Sequence, residues 1–346
     1  MTFRTFSILM LLALLLVSVA PVAAQDDTIA CEEGFTLYTN PLLWEETTDG
    51  VCIPENPERV VIANHPTYLL DNTLALGVKP VGTAIYLDRF AVAPYLADEV
   101  DGIEYVGSFN EPNLEVILEL EPDLILSTTF REEFYDQLSA IAPTILLEWD
   151  QVSWQDFLLA TGDALNRSEE AETLLAEYTE RVEVLAETIQ ELDAVPTISV
   201  VRVRPANLRF YVVSSLVGSV LQDADLPRPE AQNIDEEGTL FQVISEEEID
   251  LLDADTIFVW GATDGSDETM AALQENPLWQ QLDGVQNDRV FFVEEAFWFA
   301  PGIEGVHLLL DDLFRYVAGV DPQDISPNPF LIEATPEPET TEEASE

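Results

Sequence analysis

The amino-acid sequence predicts an α/β fold in which two Rossmann-like lobes are bridged by a single long α-helix. Short runs of β-branched and aliphatic residues alternate with helical stretches, a pattern typical of parallel sheets covered by helices. One helical region is longer than an ordinary crossover and separates two such groups. In addition, residues 113–126 and 245–258 share the same order of polar cap, acidic first turn, apolar helix face, acidic corner and strand. These observations together indicate two similarly built lobes.

The first lobe is predicted between residues 57 and 150. Its strands are short and aliphatic, and its helices place apolar residues at helical spacing. The predicted strands are 59–63, 81–85, 123–126 and 144–147, and the predicted helices are 68–76 and 115–120.

The connecting helix is predicted within residues 151–193, where stretches at 154–165 and 169–192 are both helical in pattern. Apolar side chains recur at helical spacing between positions 174 and 189, with charged residues elsewhere. The second lobe is predicted at 194–325. Its expected strands are 197–203, 255–259 and 290–293, followed by a final helix at about 305–317.

The first 24 residues are predicted to be a cleaved export signal. Arg4 gives a positive start, residues 8–20 form an apolar run, and small residues at 22–24 offer a cleavage site. The apolar run is short for a membrane span, which needs about 20 apolar residues. An uncleaved anchoring helix is the alternative. The mature chain is therefore expected in the periplasm or the cell-surface space.

An N-terminal extension, residues 25–56, holds both cysteines of the chain. In an exported protein an even pair of cysteines predicts a disulfide, here between Cys31 and Cys52. Such a bond closes a loop of about 20 residues and contributes on the order of 3 kcal/mol. The alternative is lipid attachment at Cys31. Asp26 and Asp27 separate that cysteine from the apolar run and argue against lipidation.

The charge balance excludes several classes of function. The 346 residues include 13 Lys+Arg against 67 Asp+Glu, a formal net charge of −54. Such a chain is repelled by nucleic-acid phosphates and by anionic lipid headgroups, so no nucleic-acid partner is expected. A hydrophobic fraction of 47% still supports a folded core. Residues 326–346 are predicted to be a disordered acidic tail, because little apolar surface remains there to bury.

Several segments in a fixed order along the chain follow a known pattern. They are 59–63 (RVVIA), 74–82 (LALGVKPVG), 112–126 (PNLEVILELEPDLIL), 276–282 (NPLWQQL), 285–290 (VQNDRV) and 309–313 (LLDDL). Over about 31–320 the chain resembles the periplasmic-binding family of iron-siderophore and cobalamin ABC importers (class III, with a helical backbone), in its siderophore branch. The resemblance implies two α/β lobes joined by one long helix, a ligand in the cleft between them, and an ABC permease as partner.

Three arginines lie within eight residues of each other on a chain poor in basic residues. Arg202 and Arg204 point to the same face of a predicted strand, and a turn brings Arg209 back beside them. The three guanidinium groups can thus bind carboxylate or catecholate oxygens through charge-assisted hydrogen bonds. An exposed hairpin whose arginines pair with surface acids is the alternative. The resemblance implies that these arginines hold an anionic siderophore.

Further ligand contacts are predicted near strand ends, where the cleft of an α/β protein opens. Aromatic side chains offer apolar faces to the ligand, an arginine near one of them offers a first-lobe contact to an anion, and a histidine lies just past the first strand. For each of these residues the alternative is ordinary packing in the core, the hinge or a loop. The candidates are Tyr86, Trp149, Trp260, Trp298, Arg89 and His65.

No cofactor and no direct metal ligand are predicted, because the iron of a ferric siderophore is already held by siderophore oxygens. His65 and His307 are the two histidines of the chain and lie far apart in it, which disfavours a zinc or manganese site. His307 is expected to be structural. A cobalamin or haem receptor of the same fold is the alternative, with His65, Tyr68 or Tyr86 as possible haem ligands.

Glu115 and Glu247 occupy corresponding places in the two lobes. Asn113 and Ser245 are predicted N-caps, which puts each glutamate at the second helical position, and Glu248 completes a capping box with Ser245. Acidic residues in a first turn are ordinarily favoured by the helix dipole. The resemblance implies instead that each glutamate docks onto arginines of the permease.

No enzyme motif stands out, since the chain has no Gly-x-Ser-x-Gly elbow, no HExxH and no Gly-rich phosphate loop. Together with this absence of motifs, the resemblance implies a non-enzymatic, monomeric receptor that captures a ferric siderophore and passes it to an ABC permease. The alternative from a different class is a secreted hydrolase that uses paired carboxylates.

Overall fold

The computed structural model describes residues 29–64, 66–86, 92–149, 152–205, 207–234, 238–261 and 266–331. It contains an N-terminal hairpin and two α/β lobes, each built on one sheet, which confirms the predicted fold class. The predicted signal at 1–24 and residues 332–346 of the predicted tail lie outside the described residues. Within those described ranges, no helix combines the length and the apolar character needed to cross a membrane.

The N-terminal hairpin pairs β1 (Phe35–Tyr38) with β2 (Val51–Pro54) in antiparallel fashion. The predicted disulfide is confirmed: Cys31 and Cys52 are bonded, with their Cα atoms 5.5 Å apart. The Tyr38 hydroxyl donates to the carbonyl of residue 160, 3.1 Å away, in the helical region that follows the first lobe. The disulfide therefore links the hairpin to the chain that precedes it, and Tyr38 links it to the helical region.

The first lobe is built on a six-stranded sheet. Its strands are β3 (Val60–Ile62), β4 (Gly82–Ile85), β5 (Glu104–Ser108), β6 (Glu111–Pro112), β7 (Leu124–Thr128) and β8 (Thr144–Leu147), and its helices are α1 (Tyr68–Ala75), α2 (Leu114–Glu119) and α3 (Tyr135–Ser139). The order in the sheet is β6-β5-β4-β3-β7-β8, and only β6 runs antiparallel to its neighbour. The four predicted strands and two predicted helices are confirmed, whereas β5, β6 and α3 were not predicted.

The N-terminal extension packs onto the free side of β8. The backbone N–H of Trp44 donates to the Leu146 carbonyl at 3.0 Å, and that of Glu148 donates to the Leu42 carbonyl at 2.7 Å. These hydrogen bonds continue the sheet beyond its last strand. The predicted extension at 25–56 is thus part of the first lobe over the residues that the structure describes.

The connecting region contains two helices, α4 (Trp154–Ala164) and α5 (Ser168–Gln190). Both predicted helical stretches are present, but the expectation of one continuous helix across 151–193 needs correction. Asn166 adopts a left-handed backbone conformation (φ 54), and the N–H of Arg167 donates back to the Gly162 carbonyl at 2.7 Å. This turn ends α4, because a right-handed helix cannot continue through a left-handed residue. The long bridging helix is α5, with 23 residues.

The second lobe is built on a five-stranded sheet in the order β11-β10-β9-β12-β13. The parallel strands β9, β12 and β13 form one side, and β10 and β11 are added antiparallel on the other. The strands are β9 (Ile198–Arg204), β10 (Asn207–Tyr211), β11 (Phe241–Ile244), β12 (Thr256–Gly261) and β13 (Val290–Phe292), and the helices are α6 (Leu216–Asp223), α7 (Asp267–Glu275), α8 (Asp283–Gln286), α9 (Glu295–Trp298), α10 (Ile303–Leu313) and α11 (Pro322–Ile325).

The two lobes repeat one detail of construction. The Asp123 carboxylate accepts hydrogen bonds from the backbone N–H groups of Glu58 and Arg59, at 2.8 and 2.9 Å. The Asp255 carboxylate likewise accepts from the backbone N–H and the hydroxyl of Thr197, at 2.8 and 2.7 Å. Each bond pair fixes the start of a central strand, β3 or β9. The sequence echo between the two halves therefore has a structural counterpart.

A buried ionic network joins α5 to α10. Arg181 donates to the Asp311 carboxylate at 2.5 Å and to Nδ1 of His307 at 2.8 Å. Burial lowers the pKa of His307 to about 3, and the neighbouring Arg181 adds to the shift, so the imidazole is neutral at physiological pH. His307 is structural, as expected.

The C-terminal segment at 326–331 closes this network. Asn328 is fully buried and donates to Asp311 at 3.2 Å, and the Ser326 carbonyl accepts from Arg181 at 3.1 Å. The Phe330 ring lies 5.4 Å from the His307 ring. The predicted start of the disordered tail at 326 is therefore wrong, because these residues satisfy buried polar groups of α5 and α10.

The lobes also meet directly, through α1 and the start of α10. The Asp71 carboxylate accepts from the backbone N–H groups of Glu304 and Gly305, at 2.9 and 3.2 Å. The Asn72 side-chain oxygen accepts from the N–H of Ile303 at 3.0 Å. First-lobe side chains thus cap the first turn of a second-lobe helix, which holds the two lobes in a defined relation.

Candidate ligand-binding cleft

A cavity of about 860 Å³ lies between the two lobes. The ends of first-lobe strands form one wall, the β9–β10 hairpin and the start of α6 form the opposite wall, and the start of α4 lies between them. This volume suits a ligand of several hundred daltons. The cavity brings together six residues singled out from the sequence: Tyr68, Tyr86, Trp149, Arg202, Arg204 and Arg209.

The second-lobe side of the cavity carries an arginine wall, made of Arg202, Arg204 and Arg209. Arg202 and Arg204 are two residues apart on β9, and Arg209 on β10 is the direct cross-strand partner of Arg202. This register brings three guanidinium groups to one face of the hairpin, as the alternation in the sequence predicts. The burial of Arg209 lowers its pKa, and the positive charge of Arg204 lowers it further. A grouping of like charges of this kind favours an anionic ligand.

Two of these arginines are held by packing and by charge. Arg202 is 1% exposed, donates to the Glu295 carboxylate and lies over the Phe299 ring at 4.0 Å. Arg209 lies over the Phe241 ring at 4.2 Å. A guanidinium group seated on an aromatic ring gains cation–π attraction and loses little freedom when it binds a ligand. The arginine wall is therefore pre-organised.

Tyr211 and the first turn of α6 extend the arginine wall. Burial raises the pKa of Tyr211, while the positive charge of Arg202 opposes that shift. Ser215 caps α6 by accepting from the N–H of Gly218 at 3.0 Å, and its neighbour Ser214 also lines the cavity. Tyr211 was not predicted, although it follows Arg209 by two residues and shares its face of β10.

The first-lobe side carries an aromatic wall, made of Tyr86, Phe109, Phe130 and Trp149. Successive ring centroids lie 4.9, 4.6 and 5.3 Å apart, so the four rings form a continuous surface. Each ring follows the carboxyl end of a parallel strand, namely β4, β5, β7 and β8. This is the edge at which α/β sheets bind ligands. Phe109 and Phe130 were missed, and their position after a strand is the signal that identifies them.

Trp260 and Trp298 do not line the cavity, so their prediction as ligand contacts is wrong. Both are almost fully buried. Trp298 donates from its indole N–H to Asp312 at 2.9 Å and stacks on Phe258 at 4.5 Å. Trp260 stacks on Tyr211 at 5.2 Å, and it is Tyr211 that lines the cavity. The two indoles form the core layer beneath the arginine wall.

Two other predicted ligand contacts, His65 and Arg89, lie outside the described residues. Within the described ranges, no three His, Cys, Asp or Glu side chains come close enough together to hold a metal ion.

The two predicted docking glutamates are both exposed at helix starts. Glu115 is the second residue of α2, whose N-cap Asn113 accepts from the N–H of Glu115 at 3.2 Å. Glu247 is the second residue of a 3₁₀ helix (Glu246–Leu252), and the predicted capping box between Ser245 and Glu248 is present. Neither carboxylate is needed for its own helix cap. Both are thus available to a partner.

A comparison with protein families decides the assignment. The family described as periplasmic binding protein matches residues 70–296, which span both lobes and both walls of the cavity. The chain belongs to the periplasmic binding protein family.

Relatives of this periplasmic binding protein include two named for siderophore binding. It is 34% identical over 275 residues to the probable siderophore-binding lipoprotein YfiY of Bacillus subtilis, covering 76% of this chain and 83% of the relative. It is 30% identical over 257 residues to the achromobactin-binding periplasmic protein of Dickeya dadantii, covering 72% of this chain and 83% of the relative.

Solved structures similar to this periplasmic binding protein include Staphylococcus aureus SirA. One SirA crystal structure has 31% sequence identity and a TM-score of 0.66, covering 75% of this chain and 98% of that one. A second, of SirA complexed with staphyloferrin B, has 28% identity and a TM-score of 0.70, covering 81% and 98%.

Proposed function

We propose that this protein is an exported, non-enzymatic receptor that captures a ferric siderophore in its interlobe cleft and delivers it to an ABC permease. The observation that carries the proposal is the cavity with an arginine wall facing an aromatic wall. Three of the 13 basic residues of a chain with net charge −54 are concentrated there. The cavity is thus locally positive inside a negative protein, which suits an anionic ligand.

The chemistry of the two walls supports a siderophore complex. Guanidinium groups donate charge-assisted hydrogen bonds to the donor oxygens around the iron. Aromatic faces pack against the flat or apolar parts of the siderophore. The iron needs no protein ligand, because the siderophore supplies its coordination. The names of the relatives YfiY and the achromobactin-binding protein, and the SirA complex with staphyloferrin B, point to the same ligand class.

Quenching of tryptophan fluorescence tests this proposal, since Trp149 and Trp154 line the cavity. The purified protein is titrated with ferric catecholate, hydroxamate and carboxylate siderophores, with cobalamin and haem as alternatives. We expect saturable quenching by one ferric class, and recovery of the ligand chemically unchanged. Quenching by cobalamin or haem alone would favour those receptors. A chemically altered ligand would favour the hydrolase.

Delivery to the permease is proposed to use Glu115 and Glu247. Replacing both by Lys is expected to leave siderophore affinity unchanged and to abolish uptake of the iron complex by cells, because each lobe loses its contact with basic permease residues. The matched control replaces the exposed Glu172 and Glu183 of α5 by Lys, with the same change in charge. If both variants take up iron equally well, the docking role is wrong.

The proposal includes export through the signal at 1–24 and a monomeric receptor. The Cys31–Cys52 disulfide supports an oxidising compartment and leaves no thiol on Cys31 for a lipid. Intact-mass measurement with and without reductant tests this point. A change of two mass units on reduction is expected, and a diacylglycerol adduct on Cys31 would contradict it.

A further inference from the structure

A second, smaller pocket of about 300 Å³ lies in the second lobe beside the main cavity. Val213 and Gln222 line both cavities, and Gly218 of α6 lines the smaller one. Side-chain amides of Gln222 and Asn233 contribute polar groups to the small pocket. Its volume is about ten times the ~30 Å³ that one water molecule occupies in the liquid. This space suits a small hydrated ion and is too small for a siderophore complex.

Arg228 lines this pocket with unused hydrogen-bonding capacity. Its Nη2 donates to the Tyr211 carbonyl and lies 3.4 Å from the Gln232 side-chain oxygen. Its Nε and Nη1 are buried and have no hydrogen-bond partner among the described residues. These two nitrogens carry three of the five N–H groups of a guanidinium. Buried donors without partners cost free energy. Both nitrogens lie below the surface that water reaches, so a ligand in the pocket contacts them only after the side chain rotates, and the hydrogen bonds formed then relieve that cost.

The charge of Arg228 is also uncompensated. The buried Arg181 and Arg202 each donate to a carboxylate, of Asp311 and Glu295 respectively. Burial alone lowers the pKa of Arg228 to about 10, and no described carboxylate acts on it in the opposite direction. The side chain stays protonated at neutral pH. Arg228 is half-buried, so its charge is only partly solvated, and a bound anion would compensate it.

One acidic side chain opposes an anion in this pocket. Asp225 also lines it, but Asp225 is exposed, so water and salt screen its charge. Arg228 is the more deeply buried of the two, and its field is screened less. The balance of charge in the pocket therefore remains positive.

We propose that this pocket binds a small oxyanion, with Arg228 as the charge that holds it and the amides of Gln222 and Asn233 as additional donors. The ligand class covers inorganic phosphate or sulfate and small carboxylates. The site is distinct from the cleft and does not depend on the nature of the cleft ligand.

The test uses the full mature chain with Arg204→Gln and Arg209→Gln, so that the cleft does not bind the probe. Inorganic phosphate is titrated at constant ionic strength, with NaCl replaced as phosphate is added, and the Arg228 Nε–H resonance is followed by NMR. Arg228→Lys identifies that resonance by its loss. We expect a saturable shift with a midpoint in the millimolar range. A resonance that responds no more to phosphate than to chloride would overturn the proposal.

Thermal unfolding provides the second measurement. Phosphate is expected to raise the Tm of this background, and Arg228→Gln is expected to weaken the effect at least about tenfold in phosphate concentration, as for the loss of a charge-assisted hydrogen bond. Asp225→Asn is expected to strengthen binding, because it removes a like charge. Sulfate and acetate arms identify the preferred oxyanion. An undiminished phosphate effect in folded Arg228→Gln protein would reject the site.

Discussion

The two walls of the cleft differ in chemistry although both belong to similarly built α/β lobes. The first-lobe wall is a row of four rings at the ends of parallel strands, whereas the second-lobe wall carries three arginines on an antiparallel hairpin. In the described lining, the basic residues all come from the second lobe. One lobe therefore recognises charge and the other recognises shape and apolar surface. A ligand contacts both only when it lies between the lobes.

The largest effect is expected on stability and affinity together, at Arg202, which pairs with the buried Glu295. Arg202→Gln removes the positive charge that faces the buried Glu295 carboxylate, so stability should fall by about 3–5 kcal/mol and siderophore affinity should fall as well. Adding Glu295→Gln should restore most of the stability, measured by urea unfolding, but not the affinity. Equal stability of Arg202→Gln and the unmodified protein would show that this pair does not anchor the wall.

A pure test of charge recognition uses the half-buried arginines. Arg204→Gln with Arg209→Gln is expected to weaken siderophore binding at least about a hundredfold, because two charge-assisted hydrogen bonds are lost, with little change in Tm. Lys79→Gln with Arg167→Gln removes the same charge away from the cleft and is the control. Similar loss in both double variants would mean that the overall field, and not the wall, attracts the ligand.

The aromatic wall is expected to contribute less. Phe130→Ala removes the ring between Phe109 and Trp149 and should weaken binding about tenfold, since it loses both ring contact with the ligand and support for its neighbours. Fluorescence quenching measures the affinity. Phe292→Ala, an exposed ring on β13, is the control. If Phe130→Ala weakens binding as much as Arg204→Gln with Arg209→Gln does, the aromatic wall contributes as much to the affinity as the arginine wall.

The smallest effect is expected on the pH dependence of stability, at Glu304 in the direct contact between the two lobes. Burial, with the charges of Asp71 and Glu99, raises the pKa of Glu304 to about 9, so its carboxyl is protonated in the folded protein at neutral pH. The unfolded chain ionises near its ordinary pKa of about 4.3. Folding therefore takes up a proton between these values, and the stability contributed by Glu304 declines as pH rises from about 4 to about 9.

Glu304→Gln should remove that part of the pH dependence, because the amide stays neutral throughout. The Tm of the variant should exceed that of the unmodified protein by a few degrees at pH 8 and by less at pH 5. Glu187→Gln, at an exposed position on α5, should leave the curve unchanged. Parallel Tm curves for Glu304→Gln and the unmodified protein would show that the Glu304 carboxyl does not carry this pH dependence.

The parts of the fold that the sequence predicted well are those with a strong local pattern. The aliphatic run at 144–147 coincides with β8, and the alternation of Arg202 and Arg204 placed both in one cavity wall. β5 was missed because its short segment contains Gly107 at φ 108, where a side chain would meet the Asn113 nitrogen at 2.6 Å. With β5 missing, the ring of Phe109 after it was missed too.

The errors have a common physical cause. Trp260 lies near the end of β12 and Trp298 lies in α9 after β13, but sequence position does not reveal that other side chains cover them. The segment 326–331 looks polar and irregular, and its burial depends on bonds to Asp311 and Arg181, which lie far away in the chain. Local pattern predicts elements and their faces, while tertiary contacts decide which residues a ligand reaches.

The N-terminal segment on β8 protects that edge of the first-lobe sheet from pairing with another copy of the chain. The first-lobe sheet ends in the two-residue strand β6 on one side and is covered by residues 42–44 on the other. The second-lobe sheet ends in β11 and β13, where Val243 and Phe292 are each 55% exposed. Of the two lobe sheets, as far as the structure describes them, the second-lobe sheet has the longer open edges. Strand addition between copies, the first step of edge-to-edge aggregation, should therefore begin there.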